Sequence, residues 1–334
     1  MQDLQQAKAR VMDLYQALED TADSAAALGR SLSADCLWRG MHPFDVVQGP
    51  ERVAQVFWDP LRGALRHLQR RMDVFMAGRN EIDGFSSVWV VSMGHLMGLF
   101  DAPWLGIAPT GRLTLLRYAE FLRVEGGRIT EIAMFCDIPA VMMQAGLRPF
   151  PDQTGAQLVH PGPRPHDSLM FDAQPAQDGD RTLEVINAMI TDLGQWTLGL
   201  PLEEELARTW HDDMLWWGPA GIGATYTIER YARQHSGPFR AGFAERTGTG
   251  HLCRLAEGHY GGFFGWPNFT ARPVGGFMGM PGSQTPGEFR VVDIYRRRGD
   301  KLVENWVFID LLHFWKGQGL DVLGRLATLP VARG

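Results

Sequence analysis

Two aspartates close mostly apolar runs in this chain. Asp137 follows Ile132-Ala133-Met134-Phe135-Cys136, and Asp310 follows Trp306-Val307-Phe308-Ile309. Such surroundings desolvate a carboxylate and raise its pKa toward neutral, which suits a general base for a weakly acidic C–H. A structural role is open as well. Each Asp precedes a helical start, Ile138-Pro139 or Leu311-Leu312; Asp is a preferred N-cap, and Pro139 suits an early helical turn. The two roles can coexist. His95, between Met93 and Leu96-Met97, could polarise a carbonyl or shuttle a proton alongside Asp137, or sit hydrogen-bonded in a core.

Other residues admit a binding role beside a bland one. His42, just before Pro43, is a loop residue or part of a pocket wall. Glu131 and Glu304 follow hairpins, where charges usually face solvent, and His313 comes three residues after Asp310 on a following helix. Trp38, Trp104, Trp216, Trp217, Trp266 and Trp306 suit either a core or aromatic-lined cavities. No His/Asp/Glu cluster has metal spacing, no P-loop or GxGxxG follows a strand, and no Ser sits in a nucleophile elbow. Chemistry without metal or cofactor is the expectation.

The elements that must position these groups belong to an ordinary globular chain. Its 334 residues are 45% hydrophobic and 21% charged, enough for about two domains. A formal charge of −6 gives no electrostatic case for nucleic acid. No apolar run reaches the roughly 18 residues of a membrane span. The start, Met1-Gln2-Asp3-Leu4, lacks the basic and apolar regions of a signal peptide. Cys36, Cys136 and Cys253 are too scattered for a disulfide framework. A cytoplasmic location is expected.

The two domains are copies of each other. Shifting the chain by 178 residues lays Asp35–Gly40 on Asp213–Gly218, Glu51-Arg52 on Glu229-Arg230, and Pro60–Arg62 on Pro238–Arg240. That gives nine identities in 28 positions, against roughly two by chance. A shift of 173 then aligns 117–137 with 290–310, with six identities that include Arg117, Glu131 and Asp137. The change in shift implies one short deletion in the second copy, between about 63 and 94. Prolines 149, 151, 161, 163, 165 and 175 mark an extended, stiff linker. The division is therefore 1–148, linker 149–180 and 181–330.

Apolar spacing predicts helices over 4–30 and 182–208, with shorter ones near 51–57 and 228–235. Strands are expected at 85–91, 113–124 and 129–137, and at 260–264, 289–297 and 302–310, the last pair in each copy joined by a Gly-containing hairpin. Each copy reads as helices followed by a largely antiparallel sheet, an α+β architecture.

Several strings carry a family likeness. Gly106-Ile107-Ala108-Pro109-Thr110-Gly111-Arg112, then 121–131, Asp137 and the ending Gln144-Ala145-Gly146-Leu147-Arg148-Pro149 resemble the C-terminal half of SnoaL-like polyketide (ester) cyclases of the nuclear transport factor 2-like superfamily. Gly94-His95 resembles that family's His-containing strand. Copy two is similar through Gly218–Gly223, Glu304-Asn305-Trp306, Asp310 and 317–323. The resemblance implies two tandem cone-shaped barrels, each a curved sheet wrapped around helices. It implies a pocket-facing catalytic Asp at Asp137 and Asp310, and copies that pair through their sheets, with a homodimer possible. Copy two departs from the pattern: Asn268 matches His95, and Gly282-Ser283-Gln284 matches Pro-Thr-Gly.

The expected function is cofactor-independent acid–base catalysis by Asp137 with His95, and by Asp310, on a small, partly apolar carbonyl or hydroxylated compound. His42, Trp38, Trp104, Trp216, Asn268, Trp306 and His313 would line the substrate. The alternative is a non-catalytic small-molecule-binding or assembly module. Copy one, which has both His95 and Asp137, is the expected site of chemistry.

Overall fold

Ala7, Val11, Leu14, Tyr15 and Leu18 recur at helical spacing and are all buried, so Gln2–Asp20 winds into helix α1 with one face inward. The structure, a computed structural model, describes residues 2–329. It resolves into two units: 2–148 with 161–173 and 322–329, and 149–160 with 174–321.

In unit 1 the expected long helix breaks at Thr21–Asp23. The Asp23 carboxylate accepts from the Ala26 amide at 2.9 Å and starts a new helix, α2, at Ser24–Ser31. Strands β1 (Leu32–Gly40) and β2 (Asp45–Gln48) follow. Next come α3 (Pro50–Val53), a π-helical turn at Ala54–Trp58, and α4 (Asp59–Ala64). Long strands β3 (Leu65–Arg79), β4 (Val88–Phe100), β5 (Leu113–Glu125) and β6 (Arg128–Cys136) then build the sheet, and α5 (Ile138–Gln144) closes the unit. The strand order is β2-β1-β6-β5-β4-β3, antiparallel except where β1 runs parallel to β6.

Unit 2 repeats the plan. It has α6 (Ala176–Gly194), α7 (Leu202–Leu206), β7 (Trp210–Trp217) and β8 (Ala224–Tyr226). A helix, a π turn and a helix follow at α8 (Ile228–Tyr231), Ala232–Ser236 and α9 (Gly237–Gly242). The π turn lies 178 residues after its counterpart, so a rare local geometry was duplicated along with the sequence. The strands are β9 (Phe243–Gly248), β10 (Cys253–Glu257), β11 (Tyr260–Phe264), β12 (Phe269–Pro273), β13 (Gly287–Phe289), β14 (Val291–Arg298) and β15 (Lys301–Ile309), before α10 (Leu311–Gly317). The order β10-β11-β14-β15-β7-β8 matches unit 1, while β13-β12-β9 split off as a second sheet. The hairpin spanning 80–87 in unit 1 shrinks to Gly258-His259, a deletion inside the expected interval.

The proline-rich segment serves both units in turn. Ala156 pairs with Ala224 on edge strand β8, and Leu169 pairs in parallel with Phe75 on edge strand β3. Among the described residues no helix is long and apolar enough to cross a membrane.

Candidate active site

The centre of unit 1 holds a buried ion pair. Strand alternation turns Tyr118 and Glu120 of β5 toward α1 and Arg117 to the opposite face. The Tyr15 hydroxyl on α1 donates to Glu120 Oε2 at 2.8 Å. Arg70 Nη1 on β3 lies 2.7 Å from the same oxygen. The Arg70 guanidinium carbon stands 3.8 Å over the Tyr15 ring and 4.5 Å from that of Tyr118. Above the pair opens a cleft of about 680 Å³, walled by Leu18, Trp58, Arg62, His67, Arg70 and Leu96 among others. The Tyr15 hydroxyl and the Arg70 guanidinium both engage the Glu120 carboxylate, which is therefore fully partnered within unit 1.

Unit 2 puts the same position to different use. Asp293 on β14 stands where the repeat aligns Glu120, and Gly248 stands where it aligns Arg70. Among the described residues no arginine pairs with it, and the carboxyl lines a cavity of about 130 Å³ walled by Trp196, Trp210, Trp216, Tyr231, Phe239 and Tyr295 among others. Burial among these rings pushes Asp293 up to about 6, even though hydrogen bonds from Asn305 and Tyr295 favour the ionised form. The Asn305 amide is 3.2 Å from Asp293 Oδ1. Asp293 is only half-buried, because its carboxyl opens to the cavity while protein crowds it elsewhere.

His235 sits in the duplicated π turn and stacks on Trp216, with centroids 3.9 Å apart and planes 19° apart. Desolvation pulls its pKa down to about 3, so the imidazole is neutral at pH 7. Its buried Nδ1 has no hydrogen-bond partner among the described residues. Burial raises the phenols of Tyr231 and Tyr295 above their ordinary value, and the Asp293 charge adds to this. Both phenols stay protonated and can act as donors. The cavity thus joins a carboxyl that titrates near neutrality, two phenol donors and a neutral imidazole.

The residues expected from sequence are distributed differently. Asp137 caps α5, accepting from the Ala140 amide at 3.2 Å, and Asp310 caps α10, accepting from the His313 amide at 3.2 Å. Both are buried. His95 pairs in register with Arg117, on the face away from α1, and its Nδ1 lies 3.3 Å from Asp73. Burial lowers the Arg117 guanidinium, and Asp137 and then Asp73 hold it charged. His95 and Asp137 therefore share one cluster around Arg117, on the opposite side of the sheet from the Glu120 pair. Unit 2 repeats the Arg–Asp element, with Arg290 Nη1 3.8 Å from Asp310 and the Trp266 ring 4.3 Å from the Arg290 guanidinium.

Of the expected wall residues, Trp216 lines the unit 2 cavity. Trp38 is its counterpart in unit 1, packed on Phe57 and Phe44 outside the wall of the cleft. Trp104 lies against Phe44 in a loop, and His42 is buried in the turn after β1. Asn268 accepts from the Val291 amide at 2.8 Å. Trp306 pairs with Ile294 and Trp217 on the far face of its sheet, and His313 contacts Glu288 at 3.2 Å. Asp293 and His235 escaped the sequence reading, although the alignment of Glu120 with Asp293, both acidic between apolar neighbours, was visible in the repeat. Among the described residues no group of three His, Cys, Asp or Glu side chains could hold a metal.

No family model matches the chain, and no curated protein does. Solved structures do. A candidate SnoaL-like polyketide cyclase from Jannaschia sp. CCS1 is 19% identical over 41% of this chain and 90% of its own, with a TM-score of 0.35. IdmH, a candidate polyketide cyclase from Streptomyces antibioticus, is 17% identical over 41% and 95%, with a TM-score of 0.34. An NTF2-like protein from Burkholderia thailandensis E264 is 18% identical over 42% and 95%, with a TM-score of 0.33.

Proposed function

We propose that the chain is a cofactor-independent acid–base enzyme of two NTF2-like, cone-shaped units, with Asp293 in unit 2 moving the proton. The observation that carries this reading is a carboxyl raised to about 6 inside an aromatic cavity. Ionised, Asp293 takes a proton from a carbon next to a carbonyl; the C–H electrons move onto the carbonyl oxygen, where a phenol or the imidazole of His235 stabilises the oxyanion. Reprotonation at another carbon by the Asp293 acid completes an isomerisation; attack of the enolate carbon on a second carbonyl of the same molecule, whose oxygen takes the proton from Asp293, completes an aldol-type closure; and departure of a β-hydroxyl as water, with the proton from Asp293, completes a dehydration. A cavity near 130 Å³ is in the class that holds a benzene-sized molecule, roughly 150 Å³, so the substrate is one small, partly apolar compound. In unit 1, the neutralised Glu120–Arg70 pair favours binding without chemistry. Pairing of the two copies, and of two chains, belongs to the same proposal; light scattering reads the second, and cross-linking within the single chain reads the first.

The test incubates the protein with small ketones, up to one aromatic ring in size, in D₂O and follows deuterium uptake beside the carbonyl by NMR. Asp293→Asn is expected to abolish the uptake, while Asp137→Asn and His95→Gln leave it within about twofold. Uptake that survives in Asp293→Asn would overturn the assignment.

A further inference from the structure

One cation in the wall of the unit 2 cavity stands outside its ion pairs. Arg240 on α9 is paired, its Nη1 lying 2.5 Å from Glu205 on α7. Asp192, also in the wall, is 2.8 Å from Arg208. Arg246 on β9 is left over. Its Nη1 donates to the Leu193 carbonyl at 3.2 Å, and its Nε is buried without a hydrogen-bond partner among the described residues. Among the described residues no carboxylate lies within ion-pair distance of it. Trp196 and Phe269 hold its guanidinium in place, with ring centroids 5.2 and 4.7 Å from the guanidinium carbon. A half-buried guanidinium set between two rings, facing a cavity and with no carboxylate of the described residues in reach, has the geometry of an anion receptor. Arg240 stands close enough for its charge to add to the burial that depresses Arg246, so the two cations relax most if an anion joins them.

We propose that Arg246, with Arg240 beside it, binds a carboxylate or similar planar anionic group of the substrate in the unit 2 cavity. This deepens the reading of that cavity as a small-molecule site and does not depend on Asp293 moving a proton. Planar carboxylate suits the guanidinium fork, and the aromatic wall accepts the ring or chain that carries it. Anchored by its acid, the substrate would turn its remaining functional group toward Asp293 and His235.

The test uses benzoate and its neutral isostere benzamide, titrated into the intact protein by calorimetry. Trp196 beside Arg246 gives a second readout by fluorescence. Benzoate is expected to bind at least about tenfold more tightly than benzamide, and Arg246→Gln to erase that preference. Arg246→Lys, which keeps the charge without the fork, should retain part of it and guards against a folding defect in the Gln variant. Asp293→Asn should bind benzoate at least as well as the wild type, because it removes a competing negative charge. Equal or tighter binding of benzamide, absence of benzoate binding at millimolar concentration, or an undiminished preference in folded Arg246→Gln would overturn the proposal. Loss of deuterium exchange in Asp293→Asn with benzoate binding intact would support both readings. Exchange that survives there would sink only the catalytic one.

Discussion

Arg70 and Glu120 meet at 2.7 Å across the interior of unit 1, each at most 6% exposed in its side chain. Their counterparts by the repeat are Gly248 and Asp293. Two differences between the copies, arginine to glycine and glutamate to aspartate, therefore accompany the change from a sealed ion pair to a carboxyl that lines a cavity.

Breaking that pair from one side should be costly. Arg70→Met leaves Glu120 buried without its cation and is expected to lower stability by about 3–5 kcal/mol. The double variant Arg70→Met/Glu120→Leu should recover most of the loss, since replacing both partners by apolar groups is often near neutral. Urea unfolding of the single and double variants measures the difference.

Asp293 and His235 pull stability in opposite directions with pH. The carboxyl is raised from 3.8 to about 6 in the fold, so the unfolded chain ionises first and stability falls as pH rises through that window. The cost is up to about 3 kcal/mol above pH 6. The imidazole is lowered from 6.5 to about 3, so stability is lost as pH falls below the unfolded value, by about 2 kcal/mol at pH 5. Asp293→Asn should therefore gain on the wild type between pH 4 and 6 and hold that gain above it. His235→Gln should gain on the wild type as pH drops from 6.5. Thermal melts across pH 4–8 resolve both difference curves, and parallel curves would contradict the burial of either group.

The indole packing shared by the two units rests on glycine. A Cβ on Gly218 would come within 2.0 Å of the Trp216 ring, and one on Gly40 within 2.2 Å of Trp38. Gly218→Ala should displace Trp216 from His235, changing tryptophan fluorescence and costing about 1–3 kcal/mol from overpacking. Gly29→Ala, in helix α2 with nothing within 4 Å of the new atom, is the control. It should stabilise by roughly 0.5–1 kcal/mol.

Asp137 and Asp310 should behave as structural residues. Asp137→Ala removes the cap of α5, worth about 1 kcal/mol, and strips a negative charge from beside buried Arg117. Asp137→Asn keeps the cap acceptor and should lose less. Chemical denaturation ranks the two variants, and the same order is expected for Asp310 beside Arg290.

The duplication was legible because identities recur at fixed shifts, and the element order followed from it. Capping by Asp137 and Asp310 was legible too, since Asp followed by a helical start carries its own local signal. Which face of the sheet a side chain occupies was not, because it turns on the parity of strand alternation. His95 and Asp137 share a parity with Arg117, whereas Glu120 and Asp293 share the opposite one, fixed by where α1 and α6 pack. His235 was hidden for a related reason: a π turn shifts its register on the helix in a way that a 3.6-residue pattern does not reveal.

The linker carries a consequence for how this chain can be divided. Its first half pairs with edge strand β8 at Ala156, and its second half pairs with edge strand β3 at Leu169. Each pairing covers backbone donors and acceptors that would otherwise recruit another chain. A cut between the two halves of the linker, near 160, would therefore free both edge strands, and fragments made that way should self-associate. A soluble single unit needs its own stretch of linker retained or grafted back, so the duplicated gene product is no longer two separable copies.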